Sequence, residues 1–142
     1  MARVDPLEVE SIMKILIVED EALLAMAMKD YLAGAGHIVV GQADDFDTAV
    51  TLAAETQPDL ALVDVNLVDG DSGIEVASSL TKQRVPCLMV TSNCNPMHAL
   101  DGAVGCLQKP VSPSALVQAV AAARQKVRGL PVGPVPRGLA LY

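Results

Sequence analysis

Aromatic side chains are nearly missing from this chain: its 142 residues include no tryptophan, two tyrosines and one phenylalanine. With 51% of residues apolar but only 2% aromatic, a core has to be assembled from Val, Leu, Ile, Ala and Met. Basic residues are also scarce, 10 Lys and Arg against 17 Asp and Glu, for a net charge of −7. That deficit argues against nucleic acid as a partner, because phosphate backbones need clustered Lys and Arg. It argues equally against an anionic membrane surface. No apolar run approaches the roughly 20 residues of a bilayer span. The opening MARVDPLEVESIM carries acids and no apolar stretch, so it does not read as a signal peptide. Cysteine is sparse too. Cys87, Cys94 and Cys106 form neither a CxxC pair nor an even set. The expectation is three small core residues in a reduced, cytoplasmic protein. His37 and His98 stand at no spacing suited to zinc.

What is present alternates between two periods. KILIV (14–18) reads as a buried strand, followed at once by Glu19, Asp20 and Glu21. Ala22 to Ala33 is rich in strong helix formers, and Gly34 and Gly36 close it. HIVVGQA (37–43) is a second strand. Asp44 or Asp45 caps a helix with Phe46, Val50 and Ala53 on one face, ending before Pro58. Strands follow at 60–63, 87–91 and 104–108, with a helix over Ile74–Leu80 and a short one around Met97–Leu100. Ser112 and Pro113 start a last helix running to about Arg128, with Leu116, Val120, Ala123 and Val127 inward.

Five strands alternating with helices imply an α/β fold, a doubly wound five-stranded parallel sheet covered on both faces. The expected organisation is an N-terminal extension (1–13), one domain (14–128) and a Pro/Gly-rich tail (129–142). The tail, GLPVGPVPRGLALY, cannot continue the helix and need not be structured; a docking peptide is the alternative. MKILIVEDE would make a coherent beginning at Met13 as well, which leaves the natural start open.

The stretch DLALVDVNLVDGDSG (59–73) drives a four-residue apolar run straight into Asp64. In open α/β sheets, ligands gather at the carboxyl ends of such strands. Asp64 is therefore either a presented carboxylate or the first residue of a turn, where Asp is also favoured. The same sheet edge would collect Glu19, Asp20, Thr91 and Lys109. Taken singly, each has an ordinary role as helix cap, strand residue or solvated end. Together they make an oxygen-rich pocket suited to Mg²⁺, a lysine point charge for a phosphoryl oxygen, and a hydroxyl donor. That is the chemistry phosphoryl transfer to a carboxylate needs.

KILIVEDE, LALVDVNLVDGDSG, CLMVTS and GCLQKP, in that order, resemble the receiver domain of two-component response regulators over Lys14 to Arg128. The resemblance implies a flavodoxin-like (βα)₅ fold and phosphorylation of Asp64 by a sensor histidine kinase or a histidine phosphotransfer protein. It further implies Mg²⁺ held by Asp20, Asp64 and the backbone carbonyl of Asn66, with Glu19 acting through a metal-bound water. Thr91 would be the switch hydroxyl, and Lys109 would pair with the phosphoryl group. Pro110 would follow through a cis bond.

The departures concern output. Cys106 stands where the family often carries Tyr or Phe, three residues before the lysine. The stretch from Thr91 to Lys109 is short, so the helix within it should be stunted. Val68 replaces a common proline in a loop one residue longer than usual. Leu23 and Met26 should face outward beside the acidic edge, as candidate docking residues together with Pro110. The expected function is a phospho-accepting switch or relay protein rather than an enzyme, self-catalysing its phosphorylation and dephosphorylation only. Alternatives are a phosphate-independent interaction module, or a receiver fragment of a larger regulator. A phosphohydrolase with an aspartyl nucleophile would want a second acid where Asn66 stands.

Overall fold

The computed structural model describes residues 12–94 and 102–142. Ten elements follow in order: β1 (Lys14–Val18), α1 (Ala22–Gly34), β2 (Ile38–Ala43), α2 (Phe46–Thr56), β3 (Leu60–Val63), α3 (Gly73–Lys82), β4 (Cys87–Thr91), β5 (Ala103–Gln108), α4 (Pro113–Val127) and β6 (Leu139–Leu141). The sheet order is β2-β1-β3-β4-β5-β6, parallel through β5, with β6 antiparallel on the edge. Every residue of β3 and β4 is buried, as expected for strands covered on both faces.

Two apolar clusters sandwich this sheet. Ile15, Ile17, Leu62, Leu88, Val90 and Leu107 point to one face, against Met28 and Leu32 of α1 and Leu116 and Val120 of α4. Leu16, Val18, Val63 and Met89 point to the other, against Ala49 and Ala53 of α2 and Val76 and Leu80 of α3. Alternation along β1 sends neighbouring residues to opposite clusters, which is why KILIV has no polar position after its lysine. Asp45 caps α2 by accepting from the Thr48 amide at 2.8 Å, and Ser112 caps α4 by accepting from Ala115 at 3.1 Å. Each cap is worth about 1 kcal/mol.

The sixth strand departs from the expected five-stranded sheet and from the unstructured tail. After the Pro/Gly run the chain returns, and Leu139, Ala140 and Leu141 pair with Leu107, Cys106 and Gly105. Backbone bonds from Gln108 to Gly138 and from Tyr142 to Val104 extend the ladder. Gly105 makes this approach feasible: a Cβ there would lie 2.5 Å from the Ala140 carbonyl oxygen. The tail's alternating LALY was read only as part of a breaker-rich segment, and a three-residue strand carries little signal of its own.

One smaller expectation also changes. Val127, the last residue of α4, is 47% exposed rather than inward, on a surface hollow shared with Pro86 and Val104. The helix around Met97–Leu100 and His98 lie outside the described residues. His37, by contrast, has a local role, its Nδ1 accepting from the Met13 amide at 3.1 Å. Burial lowers its pKa, with the Arg124 charge adding to the effect.

Candidate functional site

The carboxyl ends of the central strands are laced together by backbone bonds just below the candidate residues. The Asp64 amide donates to Val18 at 2.9 Å, Glu19 to Ala43 at 2.8 Å, and Lys109 to Thr91 at 2.9 Å. These bonds fix the first residue beyond each strand, so the side chains of Glu19, Asp64 and Lys109 project from one rigid edge. Thr91 is the last residue of β4 and is buried, two residues past the Val63–Met89 pair. Lys109–Pro110 is a cis peptide, as the resemblance implied.

Glu19, Asp20 and Asp64 bring one carboxylate oxygen each within 4.8 Å of one another. Glu19 and Asp64 are 2% and 6% exposed, and Asp20 is the most open of the three. Lys109 reaches between the two buried acids: its Nζ donates to Asp64 Oδ2 at 2.8 Å and lies 2.7 Å from Glu19 Oε1. Both contacts are at charge-assisted distance, and apart from Lys109 no described group reaches Glu19 Oε1. Glu19 Oε2 accepts from the Glu21 amide at 3.2 Å.

Burial pushes the Glu19 carboxyl up to about 7, against the opposing pull of Lys109 and the Glu21 amide; the Asp64 charge raises it further. Burial also works against the Lys109 ammonium, but its contacts with Asp64 and Glu19 outweigh that and raise its pKa. Two buried carboxylates sharing one lysine, with a third acid alongside, leave negative charge uncompensated. A hard cation with oxygen ligands would offset it. The three clustered carboxylates and the opening at Asp20 fit such an ion.

The loop after Asp64 is held from three sides. The Asn66 amide approaches Asp64 Oδ1 at 3.4 Å, Val68 donates to Asp44, and Asp69 Oδ2 accepts from the Phe46 amide at 3.1 Å. Ser72 opens α3 without capping it, its hydroxyl donating instead to Asp69. These bonds hold the Asp69 carboxyl below the usual carboxylate range, the Ser72 bond contributing most.

Sequence reasoning missed two positioning residues. Gly73 stands just before the expected helix over Ile74–Leu80, yet a Cβ there would sit 1.9 Å from the Asp64 carbonyl oxygen. Gln108 was read as a strand residue, but its Oε1 accepts from the Cys94 amide at 3.1 Å while its Nε2 donates to the Ser92 carbonyl. Neither role leaves a signal in residue type or spacing.

The cysteines require a correction. Only Cys87 is a free, buried thiol, its pKa pushed up to about 12 by burial. Cys94 and Cys106 are joined in a disulfide with Cα atoms 5.8 Å apart. A sequence separation of 12 suggested no pairing; β5 returns beside the end of β4 and supplies it. Of the candidate docking residues, Leu23 and Met26 are 82% and 59% exposed on α1, and Pro110 is exposed too. No helix among the described residues is long and apolar enough to cross a membrane.

Known proteins resemble this chain in sequence and in fold. The Response regulator receiver domain family matches residues 15–121. The transcriptional regulatory protein PdtaR of Mycobacterium tuberculosis is 34% identical over 120 residues, covering 81% of this chain and 58% of that protein. The phyllosphere-induced regulator PhyR of Methylorubrum extorquens is 41% identical over 81 residues, covering 56% of this chain and 30% of PhyR. The chain thus spans about half or less of those two relatives. Among solved structures, the signal receiver domain of a modulated diguanylate cyclase from Desulfovibrio desulfuricans superposes with a TM-score of 0.72 at 30% identity, covering 83% of this chain and 98% of that one. By sequence and by fold, this chain belongs to the response regulator receiver domain family.

Proposed function

We propose that the chain accepts a phosphoryl group on Asp64 from a phosphohistidine donor, and that Asp64 with its neighbours acts as a two-state signal. The observation that carries this reading is the pairing of buried Asp64 with Lys109 at 2.8 Å beside two further acids. An isolated turn aspartate has no use for such neighbours. Asp20, Asp64 and the Asn66 carbonyl would hold Mg²⁺, with Glu19 reaching it through water. When bound, the ion neutralises charge on the phosphoryl oxygens.

The chain's own residues would do the rest. An Asp64 carboxylate oxygen attacks phosphorus as the bond to the donor nitrogen breaks, and the nitrogen leaves with its electron pair. Lys109 is already in place to pair with the added negative charge, so little reorganisation is needed. Thr91, buried at the adjacent strand end, supplies a hydroxyl donor. Water attack on the same phosphorus returns Asp64 and phosphate. The donor would be a sensor histidine kinase or a histidine phosphotransfer protein, docking against the exposed Leu23, Met26 and Pro110.

Intact-mass spectrometry after incubation with acetyl phosphate tests the reading, with and without Mg²⁺ and beside Asp64→Asn. One Mg²⁺-dependent phosphoryl adduct, absent from the variant, is the expected result. An adduct retained by Asp64→Asn would overturn it.

A further inference from the structure

We propose that Cys94 and Cys106 are a reversible redox site, and that its thiol or disulfide state governs how readily Asp64 is phosphorylated. The second half of this statement rests on the receiver reading; the first does not.

The two sulfurs are unequal in setting. Cys106 is completely buried in the middle of β5, paired with Met89 of β4 on one side and Ala140 of β6 on the other. It is an anchor. Cys94 is half-buried in the loop beyond β4 and lines a surface hollow of about 500 Å³ together with Asn93, Gln108 and Tyr142. A small oxidant or reductant can approach Cys94, and exchange depends on which sulfur can be attacked. The remaining thiol, Cys87, is buried in β4 with its pKa raised to about 12, and so it stays inert.

Position links the pair to the site. Cys94 follows Thr91 by three residues, and Cys106 precedes Lys109 by three. The bond therefore ties the loop leaving the candidate switch hydroxyl to the strand that delivers the lysine. Gln108 holds the same loop non-covalently, through the Ser92 carbonyl and the Cys94 amide. With the disulfide closed, the loop is doubly latched to β5 and Thr91 is held in one arrangement. With it open, residues 92–94 lose the covalent tie and keep the Gln108 latch, and they can follow a new group on Asp64.

The chemistry is a two-electron exchange with a peroxide as oxidant. The Cys94 thiolate attacks one peroxide oxygen, the O–O bond breaks, and water or an alcohol leaves, giving a sulfenic acid. Cys106 sulfur then displaces hydroxide from Cys94 sulfur, which departs as a second water with the released proton. A dithiol reductant reverses this by two exchange steps and ends as its own disulfide.

The test treats the folded full chain with hydrogen peroxide or with dithiothreitol, removes the reagent, and splits each sample. One half is denatured and alkylated, and its mass counts free thiols. Three adducts after reduction and one after oxidation, the latter on Cys87, are expected; three in both, or one in both, would overturn the reversible pair. The other half receives acetyl phosphate and Mg²⁺. Uptake should be about fivefold slower in the oxidised chain, the low end of typical coupling between sites. Cys94→Ser should show the fast rate under both treatments, whereas Cys87→Ala should keep the redox response. Equal rates in both thiol states would overturn the coupling while leaving the redox pair intact. No adduct in either state would instead remove the receiver reading, and the coupling with it.

Discussion

Lys109 donates to Asp64 Oδ2 at 2.8 Å, joining residues 45 positions apart at the ends of β5 and β3. The same ammonium lies 2.7 Å from Glu19, so one cation holds two buried carboxylates together. Replacing it with a neutral side chain leaves both acids facing each other without compensation. Lys109→Met should therefore lower stability by about 3 kcal/mol near neutral pH, the cost of breaking a buried pair. Urea unfolding checks this. Uptake from acetyl phosphate should fall by about a hundredfold, as when one preorganised donor to a charged transition state is lost.

Glu19 sets a pH dependence whose sign is unusual for an acid. Burial raises its carboxyl from 4.5 to about 7, so between those values the folded chain binds a proton that the unfolded chain has lost. Protonation thus favours the fold: this contribution is fully present below 4.5 and disappears as pH rises through 7. Without divalent cations, wild type should lose stability between about pH 5 and about pH 8, and Glu19→Gln should flatten that slope. Parallel slopes for the two chains would show that Glu19 is not the group responsible.

The strands and their order were legible because burial on both faces writes an unbroken apolar run, as in LALV and CLMVT. The site was legible because its members follow those runs directly. Features that depend on long-range return were not. Cys94 and Cys106 meet only because β5 lies beside β4, and β6 forms only because Gly105 admits the Ala140 carbonyl. Val127 is a related case: helical spacing shows which residues share a face, not how fully each position on it is covered.

Gly73 gives the clearest case of a backbone residue placing a functional one. A methyl group at this position would fall 1.9 Å from the Asp64 carbonyl oxygen and 2.6 Å from Val65 Cα, both main-chain atoms that cannot rotate away. Gly73→Ala must push α3 or the Asp64 backbone aside. The expected loss is about 2 kcal/mol of stability, typical of overpacking at a tight site. Phosphoryl uptake should fall by more than the unfolded fraction accounts for, which comparing uptake with urea midpoints would show.

Met26 tests the docking surface separately from the chemistry. It is 59% exposed on α1, close in sequence to the acidic edge and beside Leu23, which is 82% exposed. An unbranched thioether adapts to a partner's surface at little cost. Met26→Asp adds charge where an apolar contact is proposed but touches neither Lys109 nor the buried acids. Transfer from a phosphorylated histidine-bearing partner should slow by about tenfold, equivalent to one good interface contact. Uptake from acetyl phosphate should stay at the wild-type rate, because the small donor needs no surface. Equal slowing with both donors would place the effect in the Asp64 pocket and remove α1 from the docking face.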